Sequence, residues 1–292
     1  MILYDHLTIE TNGIHLHVVQ AGPEDGPLVI LLHGFPEFWY GWKAQIDALA
    51  EQGFRVWAPD QRGYNLSDKP QGIAAYVLDT LAADVIGLID AAGAEQVFLG
   101  GHDWGAAVAW WVALTNPQRL KKLVIANVPH PVVFRQHLQS NVAQMRKSWY
   151  MFLFQLPGLP EAILRRDHYQ GGIEALRASA KPDTFTDEDF RYYRAAWSQP
   201  GALTGMLNWY RALFRTPATP PADSRVHVPT LMLWGAQDTA LSVEMAQPSI
   251  DLCDDGRLVL FEDATHWVLH DQAAQVCAQM AEFFLSDESL SS

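Results

Sequence analysis

Residues Gly100-Gly101-His102-Asp103-Trp104-Gly105 follow the apolar run Val97-Phe98-Leu99 and precede Ala106-Ala107-Val108-Ala109, so an aspartate stands where a strand turns sharply into a helix. The Gly-x-nucleophile-x-Gly spacing suits a strained turn that lifts one side chain above a parallel sheet, with small residues where the backbone crowds itself. A serine in that seat needs a neighbouring base before it can attack. An aspartate, with an ordinary pKa near ~3.9, is already an anion at neutral pH. Its natural target is an electrophilic saturated carbon, attacked in line to leave an alkyl ester on Asp103. The same residue would also serve as the N-cap of the helix that follows, a common post for Asp.

Two further strand ends carry what an Asp nucleophile requires. Leu231-Met232-Leu233-Trp234-Gly235-Ala236-Gln237-Asp238 ends an apolar run on an acid, and Phe261-Glu262-Asp263-Ala264-Thr265-His266-Trp267 ends the next near a histidine. The order nucleophile, acid, histidine is that of the α/β-hydrolase triad. His266 is the predicted base that activates water against the ester, and Asp238 the predicted acid that holds the imidazole and stabilises its cation, with Glu262 and Asp263 as nearer alternatives. His33-Gly34-Phe35-Pro36 ends another apolar run and can aim backbone N–H groups at the nucleophile. The predicted oxyanion donors are the N–H groups of Phe35 and Trp104.

These residues need a sheet to stand on. Segments 7–10 and 14–19 flank Asn12-Gly13 and read as a hairpin. Non-alternating apolar strands follow at 28–32, 55–58, 97–99, 123–126, 230–233 and 258–261, separated by helical stretches such as 76–91. The pattern predicts an α/β fold, a mostly parallel sheet flanked by helices on both faces. The strand rhythm breaks from Asn127 to about Thr219, where Trp, Tyr, Phe, Arg and Gln abound between two Pro-rich borders, Pro129-His130-Pro131 and Pro217-Ala218-Thr219-Pro220-Pro221. We expect an α/β core of residues 1–128 and 220–292 and an inserted helical cap of 129–219, a lid above the carboxyl ends of the strands, where open sheets bind ligands.

Composition bounds the partners. The 292 residues are 49% hydrophobic and 18% charged with a net charge of −13, an ordinary globular balance whose acidity argues against nucleic acid and anionic membrane surfaces. The N-terminus lacks a secretory pattern, and no apolar run approaches the ~20 residues of a membrane helix. Cys253 and Cys277 are too few for a disulfide framework and have no zinc-ligand spacing. The expectation is a cytoplasmic protein with no cofactor or metal.

At this point the chain resembles epoxide hydrolases of the α/β-hydrolase fold over nearly its whole length. The matching stretches are His33-Gly34-Phe35-Pro36-Glu37, Asp60-Gln61-Arg62-Gly63-Tyr64-Asn65-Leu66-Ser67, Gly101-His102-Asp103-Trp104-Gly105, and two tyrosine motifs, Ser148-Trp149-Tyr150-Met151-Phe152-Leu153-Phe154-Gln155 and Gly205-Met206-Leu207-Asn208-Trp209-Tyr210-Arg211. The resemblance implies that Tyr150 and Tyr210 hydrogen-bond the epoxide oxygen; by composition alone they read as core aromatics. It also puts Glu37 and His102 in motifs that help place the hydrolytic water, a role that competes with a structural one. Phe35, Trp104 and Trp149 suggest a pocket for a small apolar or aryl epoxide. Haloalkane and haloacid dehalogenases resemble the chain through the same Asp nucleophile, but a halide leaves without protonation, so they have no need of a tyrosine pair. A ligand-binding protein on a hydrolase scaffold would have a damaged triad or tyrosine pair, and neither is damaged here.

Overall fold

The computed structural model describes residues 2–286. Eight strands, β1 (Asp5–Thr11), β2 (Ile14–Ala21), β3 (Leu28–Leu32), β4 (Arg55–Pro59), β5 (Val97–His102), β6 (Leu120–Ala126), β7 (Thr230–Gly235) and β8 (Gly256–Phe261), form one sheet in the order β1-β2-β4-β3-β5-β6-β7-β8. Asn12 and Gly13 take positive φ (47° and 74°), as a tight hairpin turn requires, and join β1 to β2. β2 meets β4 antiparallel, and every pairing from β4 to β8 is parallel.

Helices α1 (Lys43–Glu51), α2 (Leu78–Ala91) and α3 (Trp104–Thr115) connect the first half of the sheet. Between β6 and β7 the described chain runs through α4 (Pro131–Ser140), α5 (Val142–Lys147), α6 (Trp149–Leu153), α7 (Leu159–Ser179), α8 (Asp187–Trp197) and α9 (Ala202–Arg215). The chain then continues through α10 (Ala246–Ile250), α11 (Val268–Asp271) and α12 (Ala273–Leu285).

Successive residues of a strand point to opposite faces, and both faces of β3 to β7 are covered, which is why these strands read as unbroken apolar runs, whereas the edge strand β8 buries only Phe261. Val29, Leu31, Val56, Ala58, Val124 and Leu231 pack against Ile46 and Leu49 of α1 and Met280 and Phe284 of α12. Their neighbours Leu28, Ile30, Leu32, Leu123, Ile125 and Met232 pack on the other side with Val85 and Leu88 of α2 and Val108 and Val112 of α3. The helix expected at 76–91 begins at Leu78, because Ile73–Tyr76 forms a separate 3-10 turn. Pro131, read from sequence as a border, opens α4 instead: a proline at the first helical turn gives up an N–H that has no partner there, and His130 caps the helix by accepting from the Val132 N–H.

The helical segment is fastened over the strand ends by close backbone approach. A Cβ on Gly205 of α9 would run into the backbone of Gly63, and the Trp209 indole donates to the Arg62 carbonyl at 3.0 Å. The Arg62 guanidinium in turn holds Asp84 through two bonds of 2.6 and 2.7 Å in a buried pair. No described helix is long and apolar enough to cross a membrane.

Candidate active site

Asp103 sits between β5 and α3 with φ 49° and ψ −125°, a strained conformation that turns the carboxylate away from the sheet. The flanking glycines are required by space. A Cβ on Gly101 would strike Gly105, one on Gly105 would strike the Leu32 carbonyl, and one on Gly34 would strike the Asp103 side chain itself. Asp103 does not cap α3 with its side chain. Its Oδ1 accepts from the Phe35 N–H at 2.6 Å, and its Oδ2 lies 3.3 Å from His266 Nε2. Trp104 opens α3, so its N–H belongs to the first turn, whose amides have no intrahelical partner.

The geometry brings Asp238 to His266, with Oδ2 2.7 Å from Nδ1. Glu262 and Asp263, the alternatives, are exposed. Asp238 is buried and fully engaged: Oδ2 also accepts from Asn127 at 2.8 Å, and Oδ1 accepts from the N–H groups of Ala240 and Leu241 at 2.7 and 2.8 Å. Burial alone would raise its pKa, but His266, Asn127 and the Leu241 amide outweigh it and hold the carboxyl below the usual range. Asp103 is likewise held low, because His266, His102 and the Phe35 N–H outweigh burial. His266 shows the converse: burial disfavours its charged form, yet the two carboxylates raise its pKa well above 6.5.

Tyr150 and Tyr210 come from α6 and α9 and both face Asp103 across one cavity of about 290 Å³. Their rings meet at 5.9 Å, and Tyr210 also packs edge-on to Trp104 at 5.1 Å and Phe35 at 5.3 Å. Burial and the nearby Asp103 carboxylate both raise the pKa of each hydroxyl, so both keep their protons. The two helices are tied together: Gln155 donates to the Tyr210 carbonyl at 2.9 Å, and Arg211 donates to the Phe154 carbonyl at 3.0 Å while pairing with buried Glu161 at 2.8 Å.

Trp104, Trp111, Val128, Phe134, Leu213 and Leu241 supply much of the cavity's apolar wall. Trp149 does not join it. Its side chain is 63% exposed, because neighbouring helical residues point about 100° apart and Tyr150 is the one turned inward. Phe35 backs the wall through Tyr210 and Phe154 rather than lining the space.

Glu37 is buried beside this site. Its Oε1 accepts from the Tyr193 hydroxyl of α8 at 2.5 Å and from His270 Nε2 of α11 at 2.8 Å, while Oε2 faces His102 Nδ1 at 3.4 Å. Burial works against its charge, but His270 and His102 prevail and keep it ionised. His102 Nε2 contacts the His266 carbonyl at 2.8 Å. The Asp60 to Ser67 motif supports the strand ends from below, with Asp60 bonded to His17 and Asn65, and Gln61 bonded to His33. Asn127, Tyr193 and His270 escaped the sequence reading. None lies in a spaced motif; Asn127 alone left a trace, as the polar residue that ends an apolar run.

A model of the α/β-hydrolase fold matches residues 27–273. This chain belongs to the α/β-hydrolase family. The α/β-hydrolase is 50% identical over 275 residues to the AB hydrolase superfamily protein YfhM of Bacillus subtilis, covering 94% of this chain and 96% of that one. It is 38% identical over 291 residues to epoxide hydrolase 2 of Caenorhabditis elegans, covering 97% and 81%. Among solved structures, it superposes on epoxide hydrolase A of Mycobacterium thermoresistibile with a TM-score of 0.87 at 32% identity, covering 96% and 98%. An epoxide hydrolase mutant of Bacillus megaterium, solved with its product, a naphthyloxy-propanediol, gives 0.89 at 30% identity, covering 96% and 100%. The α/β-hydrolase is therefore similar to epoxide hydrolases along nearly its whole length.

Proposed function

We propose that this α/β-hydrolase opens epoxides to vicinal diols through an alkyl ester on Asp103. The observation that carries the reading is the convergence, on one apolar cavity, of an ionised aspartate and two protonated tyrosines. The Phe35 N–H holds Oδ1, leaving Oδ2 to attack an epoxide carbon. As the new C–O bond forms and the ring C–O bond breaks, the electron pair goes to the ring oxygen, which takes a proton from Tyr150 or Tyr210. Alkylation removes the charge of Asp103, one of the two carboxylates that raise the His266 pKa. The imidazolium then returns a proton to the phenolate and becomes a base.

Water attacks Cγ of the ester and gives a proton to His266 Nε2, while the developing oxyanion is stabilised by the N–H groups of Phe35 and Trp104. Collapse breaks the ester bond, and the leaving diol oxygen takes a proton from His266. The proton left over from water recharges the imidazole and restores the starting state. Glu37 Oε2 and His102 are the groups we assign to placing that water. The helical segment 129–219 acts as the lid that brings the tyrosines, on a core of 1–128 and 220–292.

A turnover panel of styrene oxide, chloroalkanes and carboxylic esters tests the reading. Hydrolysis of styrene oxide to its diol is expected. Turnover confined to chloroalkanes would replace the reading by a dehalogenase, and turnover confined to carboxylic esters by an esterase.

A further inference from the structure

Gln144 of α5 is completely buried. A buried amide is costly unless its polar atoms find partners. Its Nε2 donates to the Ala240 carbonyl at 2.9 Å and to the Ser148 Oγ at 3.0 Å, and its Oε1 accepts from the Ser242 N–H at 2.9 Å. Only one orientation of the amide suits a carbonyl on one side and an N–H on the other, so the side chain is fixed in place.

Two of these partners belong to the loop after Asp238. The N–H groups of Ala240 and Leu241 hold Asp238 Oδ1, and Gln144 grips the chain immediately around them. Lys147, on the next turn of α5, donates to the Asp238 carbonyl at 3.0 Å. Residues 238–242 are in neither helix nor strand, so these bonds stand in for a regular backbone ladder.

The third partner belongs to the tyrosine. Ser148 is buried at the start of α6, two residues before Tyr150. Its hydroxyl does not cap α6 and takes the Gln144 amide instead. Gln144 thus ties the loop that fixes the acid behind His266 to the helix start that fixes a proton donor for the ring oxygen.

Resting on the epoxide hydrolase reading, we infer that Gln144 is a positioning residue that holds Asp238 and Tyr150 in one register, so that a single lid contact serves both ring opening and ester hydrolysis. Gln144 is not among the residues that line the cavity, so it acts through its partners alone. Its leverage is geometric: a misplacement of about 1 Å in groups aligned for reaction costs on the order of 100-fold in rate.

The test measures two rates in single turnovers of styrene oxide, formation of the ester and its decay, both followed as protein mass after rapid quench. The variants are Gln144→Leu, Ser148→Ala and Asn127→Ala, each checked for its fold by circular dichroism. In Gln144→Leu both rates are expected to fall, by about 10- to 100-fold. Ser148→Ala, which frees only the α6 end, is expected to slow formation and spare decay. Asn127→Ala, which loosens Asp238 without touching α6, is expected to slow mainly decay. Folded Gln144→Leu with both rates near wild type overturns the inference even if its stability in urea falls, and so does a fall confined to one rate. Unchanged ester formation in Ser148→Ala overturns the link to Tyr150. If Gln144→Leu does not fold, Gln144→Glu is held to the same two rates: its carboxylate still accepts from Ser242 but offers no donor to Ala240 or Ser148. Wild type that turns over styrene oxide beside unchanged Gln144 variants leaves the epoxide hydrolase reading standing, whereas wild type that turns over no epoxide overturns both.

Discussion

The Phe35 N–H donates to Asp103 Oδ1 at 2.6 Å, so the nucleophile is held before substrate arrives by a group that would later stabilise its tetrahedral intermediate. One carboxylate oxygen is fixed by a backbone amide, and the other, 3.3 Å from His266 Nε2, is the one that attacks. Gly34 makes the approach possible, since a Cβ there would occupy the space of the Asp103 side chain.

Gly34→Ala should therefore displace Asp103 and lower kcat at least ~100-fold, the scale for losing a positioned oxyanion donor. Circular dichroism should show the fold retained. Activity within a few-fold of wild type in a folded variant would contradict the placement.

Tyr150→Phe and Tyr210→Phe should each slow ring opening, and the double variant far more, because either hydroxyl can protonate the leaving oxygen in part. A positioned acid contributes ~100-fold or more. Single-turnover kinetics measure the step directly, and a double variant near wild type would refute the assignment.

Asn127→Ala removes a bond to a buried carboxylate, Asp238, and should cost about 1–3 kcal/mol of stability in urea unfolding. It should also slow hydrolysis of the ester more than its formation, since His266 loses its fixed orientation. Loss of stability with no change in either step would reduce Asn127 to a structural role.

The raised His266 pKa makes a stability prediction with a definite sign. Its folded value lies above the unfolded value of about 6.5, so the charged imidazole contributes stability that is fully present below ~6.5 and lost as pH rises through the folded value. The stability difference between wild type and His266→Gln should shrink as pH is raised above the usual imidazole range. A difference independent of pH would mean that His266 is not charged between its two aspartates.

Much of this was legible in the sequence for physical reasons. Buried parallel strands leave unbroken apolar runs, and strand ends mark where Asp103, Asp238 and His266 must lie. Asn12-Gly13 announced the hairpin because few pairs tolerate its backbone. Trp149 and Tyr150 show the limit: one is exposed and the other faces the cavity, a difference of one helical step that composition does not reveal. Asn127, Tyr193 and His270 were hidden because they meet Asp238 and Glu37 only through tertiary packing, across 111, 156 and 233 residues.

The covalent ester is the centre of the account, and His266→Gln isolates it. Asp103 keeps the Phe35 N–H on Oδ1 when His266 is replaced, so alkylation should still proceed, slowed by the loss of the imidazolium that helps hold the carboxylate ionised, whereas the ester should persist for want of a base. Mass spectrometry after incubation with styrene oxide should show one substrate added per protein, on the peptide that contains Asp103, after a single fast burst and without steady turnover. A variant that binds the epoxide yet forms no adduct, or that turns over steadily without one, would contradict the mechanism.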